Sequence, residues 1–300
     1  MNEAYGSWKR ITDTIAPADR AAMEKAAARW NSIAKPLHSL GKLEDLIIRI
    51  AGIQRTDRID IQKKALVIMC ADNGVVEEGV TQTGQEVTAI VAENFLKGET
   101  SAAIMSACAG ADIFPMDVGM IRNVDGLDTR KTLCGTGNIA KGPAMTEEAM
   151  YSAIKAGIDK AAELKKEGYR ILATGEMGIA NTTSSACIVA AACGLTPEQA
   201  TGRGTNISDD RLKVKIEVVR QALETNRPDP KDGIGLLSKV GGFELGCIAG
   251  VILGAAAHHA FVVLDGFNTG AAALIAQALC PLVPNYLMGS HLAAEPAHRA

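Results

Sequence analysis

Ala173-Thr174-Gly175-Glu176-Met177-Gly178-Ile179-Ala180-Asn181-Thr182-Thr183-Ser184-Ser185 is the stretch on which the fold turns. The residues just ahead, Tyr169-Arg170-Ile171-Leu172-Ala173-Thr174, read as a buried strand. Glycines then turn the chain, and a run of Asn, Thr and Ser opens a helix expected over 181–192. Strand, glycine turn and polar helix start form the repeating unit of a parallel α/β sheet. A helix start also carries free N–H groups and positive partial charge, which suit a phosphate. Ordinary capping by Asn181 or Thr182 accounts for one polar residue here. It does not account for the glycine pair and the upstream Glu176.

Working outward, Ala65-Leu66-Val67-Ile68-Met69-Cys70-Ala71 is a continuous apolar run that ends in Asp72-Asn73-Gly74. Ile113 to Gly119 gives another strand, with Pro115 favouring an edge position. Ala260 to Phe267 gives one more. Helices are expected over Glu86–Phe95, Glu147–Glu167, Leu212–Glu224, Cys247–Ala257 and Ala271–Leu279. Residues 1–62 read as a small helical region, with Asp19–Trp30 and Leu43–Ile53 as its clearest helices. Residues 63–289 then form one α/β domain, and 290–300 open a C-terminal segment. This alternation predicts a Rossmann-like α/β fold, a mainly parallel sheet with helices on both faces. In such sheets ligands bind beyond the carboxyl ends of the strands. Asp72-Asn73-Gly74, Gly175-Glu176-Met177-Gly178 and Asp265-Gly266-Phe267 are therefore expected at one rim.

Composition narrows the function. Of 300 residues, 47% are hydrophobic and 22% charged, which excludes a disordered or collagen-like chain. Only 4% are aromatic, so the core relies on Ala, Val, Ile, Leu and Met. A net charge of −3 leaves no electrostatic footprint for nucleic acid or an anionic membrane. The 7 cysteines show no Cys-x-x-Cys pair and no metal-ligand spacing, and read as reduced thiols of a cytoplasmic protein. Leu245 to Leu264 is apolar but broken by glycines, His258 and His259. It reads as a buried helix and strand and not as a membrane span. The polar N-terminus has no signal-peptide core. The 30 glycines suggest tight loops approaching a ligand.

Gly202-Arg203-Gly204-Thr205-Asn206 is a further glycine-rich loop, and Lys215 on the following helix would add a positive charge for phosphate. Gly135-Thr136-Gly137-Asn138 resembles part of a dinucleotide fingerprint, but it lacks the third glycine and a preceding strand. No nucleophile elbow and no Walker loop occur. Glu176, a strand-end carboxylate among small residues, either has its pKa raised towards a general-base role or holds a loop through backbone N–H groups. A dinucleotide-dependent oxidoreductase rests on fold analogy alone.

Ala71-Asp72-Asn73-Gly74-Val75, Gly175 through Thr183, Ser238-Lys239-Val240-Gly241-Gly242-Phe243, Leu264-Asp265-Gly266-Phe267 and Ser290-His291-Leu292-Ala293-Ala294-Glu295 occur in this order. Together they resemble the nicotinate-nucleotide–dimethylbenzimidazole phosphoribosyltransferase family, which activates the lower ligand in cobalamin assembly. Lys35-Pro36 and Ser39-Leu40-Gly41-Lys42-Leu43-Glu44 match that family's N-terminal loop, and the likeness runs from Ile15 to the last residue.

The resemblance implies transfer of phosphoribosyl from nicotinate mononucleotide to 5,6-dimethylbenzimidazole or a related base. It implies a homodimer and neither metal nor cofactor. Residue by residue, it places Gly175, Gly178, Asn181, Thr182, Thr183, Gly204, Lys215 and Ser290 at the nucleotide. It places Thr83, Val91, Met177, Asp265 and Phe267 at the base, with Glu176 in a supporting catalytic role. Two departures matter. The family reads Asp-His-Gly where this chain has Asp72-Asn73-Gly74, so no histidine role carries over. The family pattern also continues to an Arg-Leu-Gly-Glu-Gly segment whose glutamate is regarded as the general base, and residues 290–300 stop short of it. The alternative expectation is a catalytically impaired form that binds nucleotide and aromatic base.

Overall fold

The computed structural model describes residues 3–300. The chain begins with helices α1 (Glu3–Thr12), α2 (Arg20–Ser32) and α3 (Lys42–Gln54), then enters the sheet at β1 (Lys64–Ala71). Helices α4 (Glu86–Lys97) and α5 (Ser101–Ala109) lead to β2 (Ala111–Gly119) and the two-residue β3 (Asp128–Thr129). The long α6 (Glu147–Lys166) precedes β4 (Ile171–Met177). Four helices follow: α7 (Asn181–Cys193), the one-turn α8 (Pro197–Ala200), α9 (Asp209–Asn226) and α10 (Gly233–Val240). The chain closes with α11 (Phe243–Ala257), β5 (Phe261–Leu264), α12 (Phe267–Leu279) and β6 (Leu287–Gly289).

The sheet has the order β3-β2-β1-β4-β5-β6, with every pair parallel. The chain builds outward from β1 to β2 and β3, then returns to place β4 on the other side of β1. That reversal is the topological switch point, where α/β sheets open a crevice at the strand ends. Residues of β1 alternate between two apolar clusters: Val67 and Met69 join one with α6 and α11, and Ile68 and Cys70 join the other with Ala89, Ala92 and Phe95 of α4. This period of two explains the unbroken apolar run, because both faces are covered. Pro115 is tolerated because β3 pairs only with Met116 and Asp117, leaving β2 open beside it.

Several boundaries differ from the sequence expectation. The strand expected to end at Thr174 continues through Gly175, Glu176 and Met177, because β1 pairs with it as far as Cys70↔Met177. Gly175 is thus a strand residue, covered by Ile68 and Leu66; a Cβ there would lie 3.3 Å from Ile68 Cγ1. The turn itself is Gly178-Ile179-Ala180, with Ala180 left-handed at φ 73°. Phe267 starts a helix and does not end a strand, since β5 stops at Leu264. The helix expected from Cys247 begins at Phe243.

The glycine count also has a second cause. Helices α6 and α11 meet backbone to backbone. A Cβ on Gly157 would stand 1.9 Å from Cys247 O, and one on Gly250 2.0 Å from Ile154 O. Among the described residues, no helix is long and apolar enough to cross a membrane. All seven cysteines are free thiols, and Cys70, Cys187, Cys247 and Cys280 are buried.

Candidate active site

The crevice at the switch point is built from the ends of β1 and β4 and the start of α12. Met69 pairs with Glu176 across the strands, so the two chain ends leave the sheet side by side. Asp72 Oδ2 accepts from Ile121 N at 2.8 Å, and Asn73 Nδ2 donates to Glu244 Oε1 at 3.1 Å. The Gly135-Thr136-Gly137 loop packs against this turn: Gly74 N donates to Thr136 Oγ1 at 3.1 Å. A Cβ on Gly74 would lie 2.5 Å from Thr136 O. That loop therefore supports the strand end and does not form a dinucleotide turn.

The polar start of α7 is not a capping arrangement. The cap is Ala180, which offers no side-chain hydrogen bond. Asn181 instead donates through Nδ2 to Glu176 Oε2. Asn268 Nδ2 reaches Glu176 Oε1 and Asn181 Oδ1, each at 2.9 Å. Burial pushes the Glu176 carboxyl above the usual carboxylate range, against the two amide hydrogen bonds that lower it. Thr182 turns the other way and accepts from Lys215 Nζ at 2.7 Å.

Lys215 is 1% exposed. Its ammonium also donates to Gly202 O at 3.2 Å. Burial brings the Lys215 pKa down to about 8, partly offset by the charge of Glu295. Gly204 is left-handed at φ +55°, and a Cβ there would press on Thr182 Oγ1 at 2.9 Å and Lys215 Nζ at 3.2 Å. Glycine is required at 204 on both counts. Glu244 is buried, Oε2 accepts no hydrogen bond, and burial raises its pKa to about 8.

Two cavities meet at Glu176. One of about 340 Å³ is lined by Met177, Gly178, Asn181, Thr182, Gly204 and Phe267, among others. The other, of about 510 Å³, is mainly apolar and runs along the sheet face past Ile68, Phe95, Gly175, Val263, Asp265 and Ser290. A small recess of about 40 Å³ lies between the α7 start, Arg203, Thr205 and Lys215. A groove of about 540 Å³ on the N-terminal helices, around Trp30 and Ile47, touches no strand end.

The crevice thus brings together Gly175, Glu176, Met177, Gly178, Asn181, Thr182, Gly204, Asp265, Phe267 and Ser290 along one continuous hollow, with Lys215 behind Thr182. Thr183 is fully buried in α7 and lines neither cavity. Thr83 is exposed on the loop before α4, and Val91 caps the same apolar cluster as Met177 without lining either cavity. Lys213 is exposed and paired with Asp210 at 3.0 Å. Sequence reasoning missed Asn268, Glu244 and the contact of Glu295. Asn268 follows Asp265-Gly266-Phe267 and was within reach of the strand-end rule.

A parallel α/β enzyme with a glycine-lined, cationic recess beside a strand-end carboxylate has the makings of a phosphoribosyltransferase. A sequence profile described as phosphoribosyltransferase matches residues 15–300. The nicotinate-nucleotide–dimethylbenzimidazole phosphoribosyltransferase of Acetivibrio thermocellus is 44% identical over 279 residues, 92% of this chain and 80% of that protein. The enzyme of the same name from Desulforamulus reducens is 46% identical over 285 residues, 94% of this chain and 81% of that protein. The crystal structure of CobT from Thermus thermophilus superposes with a TM-score of 0.88 at 37% identity, covering 93% of this chain and 84% of that one. The chain belongs to the nicotinate-nucleotide–dimethylbenzimidazole phosphoribosyltransferase family, a family of glycosyl-transferring enzymes.

Proposed function

We propose that the chain transfers phosphoribosyl from nicotinate mononucleotide to 5,6-dimethylbenzimidazole, forming α-ribazole 5′-phosphate and nicotinate. The observation that carries this reading is the position of Glu176, where the glycine-lined cavity with Gly204 meets the larger one along the sheet face. The phosphate lies towards Gly204, Thr182 and Lys215, with Gly175, Gly178, Asn181 and Ser290 shaping the ribose side and the buried Thr183 backing the start of α7. The base lies against Met177 and Phe267 with Asp265 bounding its approach, while Val91 packs in the cluster behind Met177 and Thr83 stands outside the cavities.

The C1′–nitrogen bond of the nucleotide breaks with its electron pair passing to the pyridinium, which leaves as neutral-ring nicotinate. A ring nitrogen of the incoming base forms the new bond from the opposite side, inverting C1′. The protein's part is mainly alignment. Glu176, held on both oxygens by Asn181 and Asn268, accepts a hydrogen bond from the base N–H and takes that proton as the new C1′–nitrogen bond forms. We place the enzyme in the cytoplasm as a homodimer, on its reduced cysteines and its family. Incubation with both substrates, followed by chromatography of nicotinate and α-ribazole phosphate, tests the reading. Stoichiometric appearance of both products supports it. Saturable binding without nicotinate release would instead favour the impaired binding form.

A further inference from the structure

The nucleotide reading assigns phosphate to Gly204 and Lys215, and one anion already stands among those donors. Gly204 N donates to Glu295 Oε1 at 2.8 Å. The carboxylate comes in so far that a Cβ on Gly202 would lie 1.6 Å from Oε2. Both glycines of the 202–204 loop are therefore needed, one to admit Glu295 and one to admit the Lys215 ammonium. Glu295 also lines the same cavity as Thr182, Gly204 and Thr205.

The contact is half made. Oε2 is buried and has no hydrogen-bond partner, an arrangement that costs free energy. Lys215 Nζ spends its hydrogen bonds on two neutral oxygens, Thr182 Oγ1 and Gly202 O, and not on the carboxylate. A structural clamp would use both oxygens. A phosphate, with three acceptor oxygens, would answer Gly204 N–H, Thr182 and Lys215 together. The segment that bears Glu295 is short and anchored beyond it: Ala293 N donates to His298 Nδ1 at 2.7 Å, the His298 ring lies edge-on to Phe267 with centroids 6.4 Å apart, and Ala297 is buried in the main apolar cluster.

We infer that Glu295 is a resident anion that competes with the nucleotide's phosphate for the Gly204–Lys215 seat. Nucleotide binding expels the Glu295 carboxylate from Gly204 N while Ala297 and His298 stay anchored. The inference rests on the phosphate assignment above, and the test separates the two.

Calorimetric titration with nicotinate mononucleotide alone is compared with titration by nicotinate riboside, which lacks the phosphate. Glu295→Gln keeps an acceptor for Gly204 N and removes only the charge; Glu295→Ala removes both. Both variants should bind the mononucleotide about 10-fold more tightly than the parent and the riboside equally well. Thermal melts confirm that each variant is folded. If the parent prefers the mononucleotide to the riboside but Glu295→Gln binds it no better, Glu295 is a clamp and the inference is overturned while the phosphate seat stands. If the parent binds both ligands alike, the phosphate seat itself is wrong, and the inference falls with it.

Discussion

Two regions of this protein are crowded with glycine for opposite reasons. Between α6 and α11, a Cβ on Gly157 or Gly250 would collide with main-chain carbonyls that have nowhere to go. Around the crevice, a Cβ on Gly202 or Gly204 would meet side chains, those of Glu295, Pro296, Thr182 and Lys215, while Gly178 shares both characters, with Ala71 O at 2.8 Å and Asn181 Nδ2 at 3.1 Å. The first set lets two helices touch and belongs to stability. The second keeps space where polar groups gather and belongs to binding. The same residue type thus reports on packing or on chemistry according to what stands opposite it.

Substitutions can break that division. Gly250→Val should be the most damaging, because its Cβ alone would stand 2.0 Å from Ile154 O in α6. We expect a loss of more than about 3 kcal/mol, read as a lower urea midpoint or insoluble protein. Glu244, at the start of α11 and bonded to Asn73, joins the two regions. Its folded pKa of about 8 lies above the unfolded value of 4.5. The folded state therefore binds the extra proton, and the contribution of Glu244 to stability should be full below pH 4.5 and fall as pH rises towards 8. The slope should approach about 1.4 kcal/mol per pH unit. Urea titrations from about pH 5 to 8 should show that decline in the parent and a shallower one in Glu244→Gln, where the raised carboxyls of Glu176 and Asp72 remain.

Within the crevice, changes should strike binding and turnover harder than stability. Glu176→Gln should lower kcat by about 10²-fold with little change in melting temperature. A rate equal to the parent's would remove Glu176 from the reaction. Gly204→Ala should raise the KM for nicotinate mononucleotide by about 10-fold and cost about 1 kcal/mol of stability at the left-handed backbone. An equal KM would move Gly204 from the second set of glycines to the first.

The sheet is legible in the sequence because its strands are apolar on both faces, and the rim follows from the rule that ligands sit at strand ends. Boundaries are less legible. Gly175 reads as a turn residue, yet pairing with Ile68 keeps it in the strand. The short strands Asp128–Thr129 and Leu287–Gly289 carry too few residues for any period to show. At the site, Glu176, Gly204 and Lys215 stand out by residue type and by neighbouring glycines. Asn268 and Glu244 do not, because their roles depend on tertiary partners 92 and 171 residues away in sequence. The polar start of α7 reads partly as capping, yet Ala180 occupies the cap position.

That alanine has a consequence of its own. Left-handed backbone is costly for a residue with a side chain, by roughly 1–2 kcal/mol, and a glycine would sit there at ease. Holding alanine instead keeps a side chain at the 40 Å³ recess and narrows the backbone freedom that glycine would allow at the start of α7. The enzyme accepts a tense joint in exchange for a fixed bearing, so that the amide at 181 and the hydroxyl at 182 point in two different directions from adjacent positions of one helix.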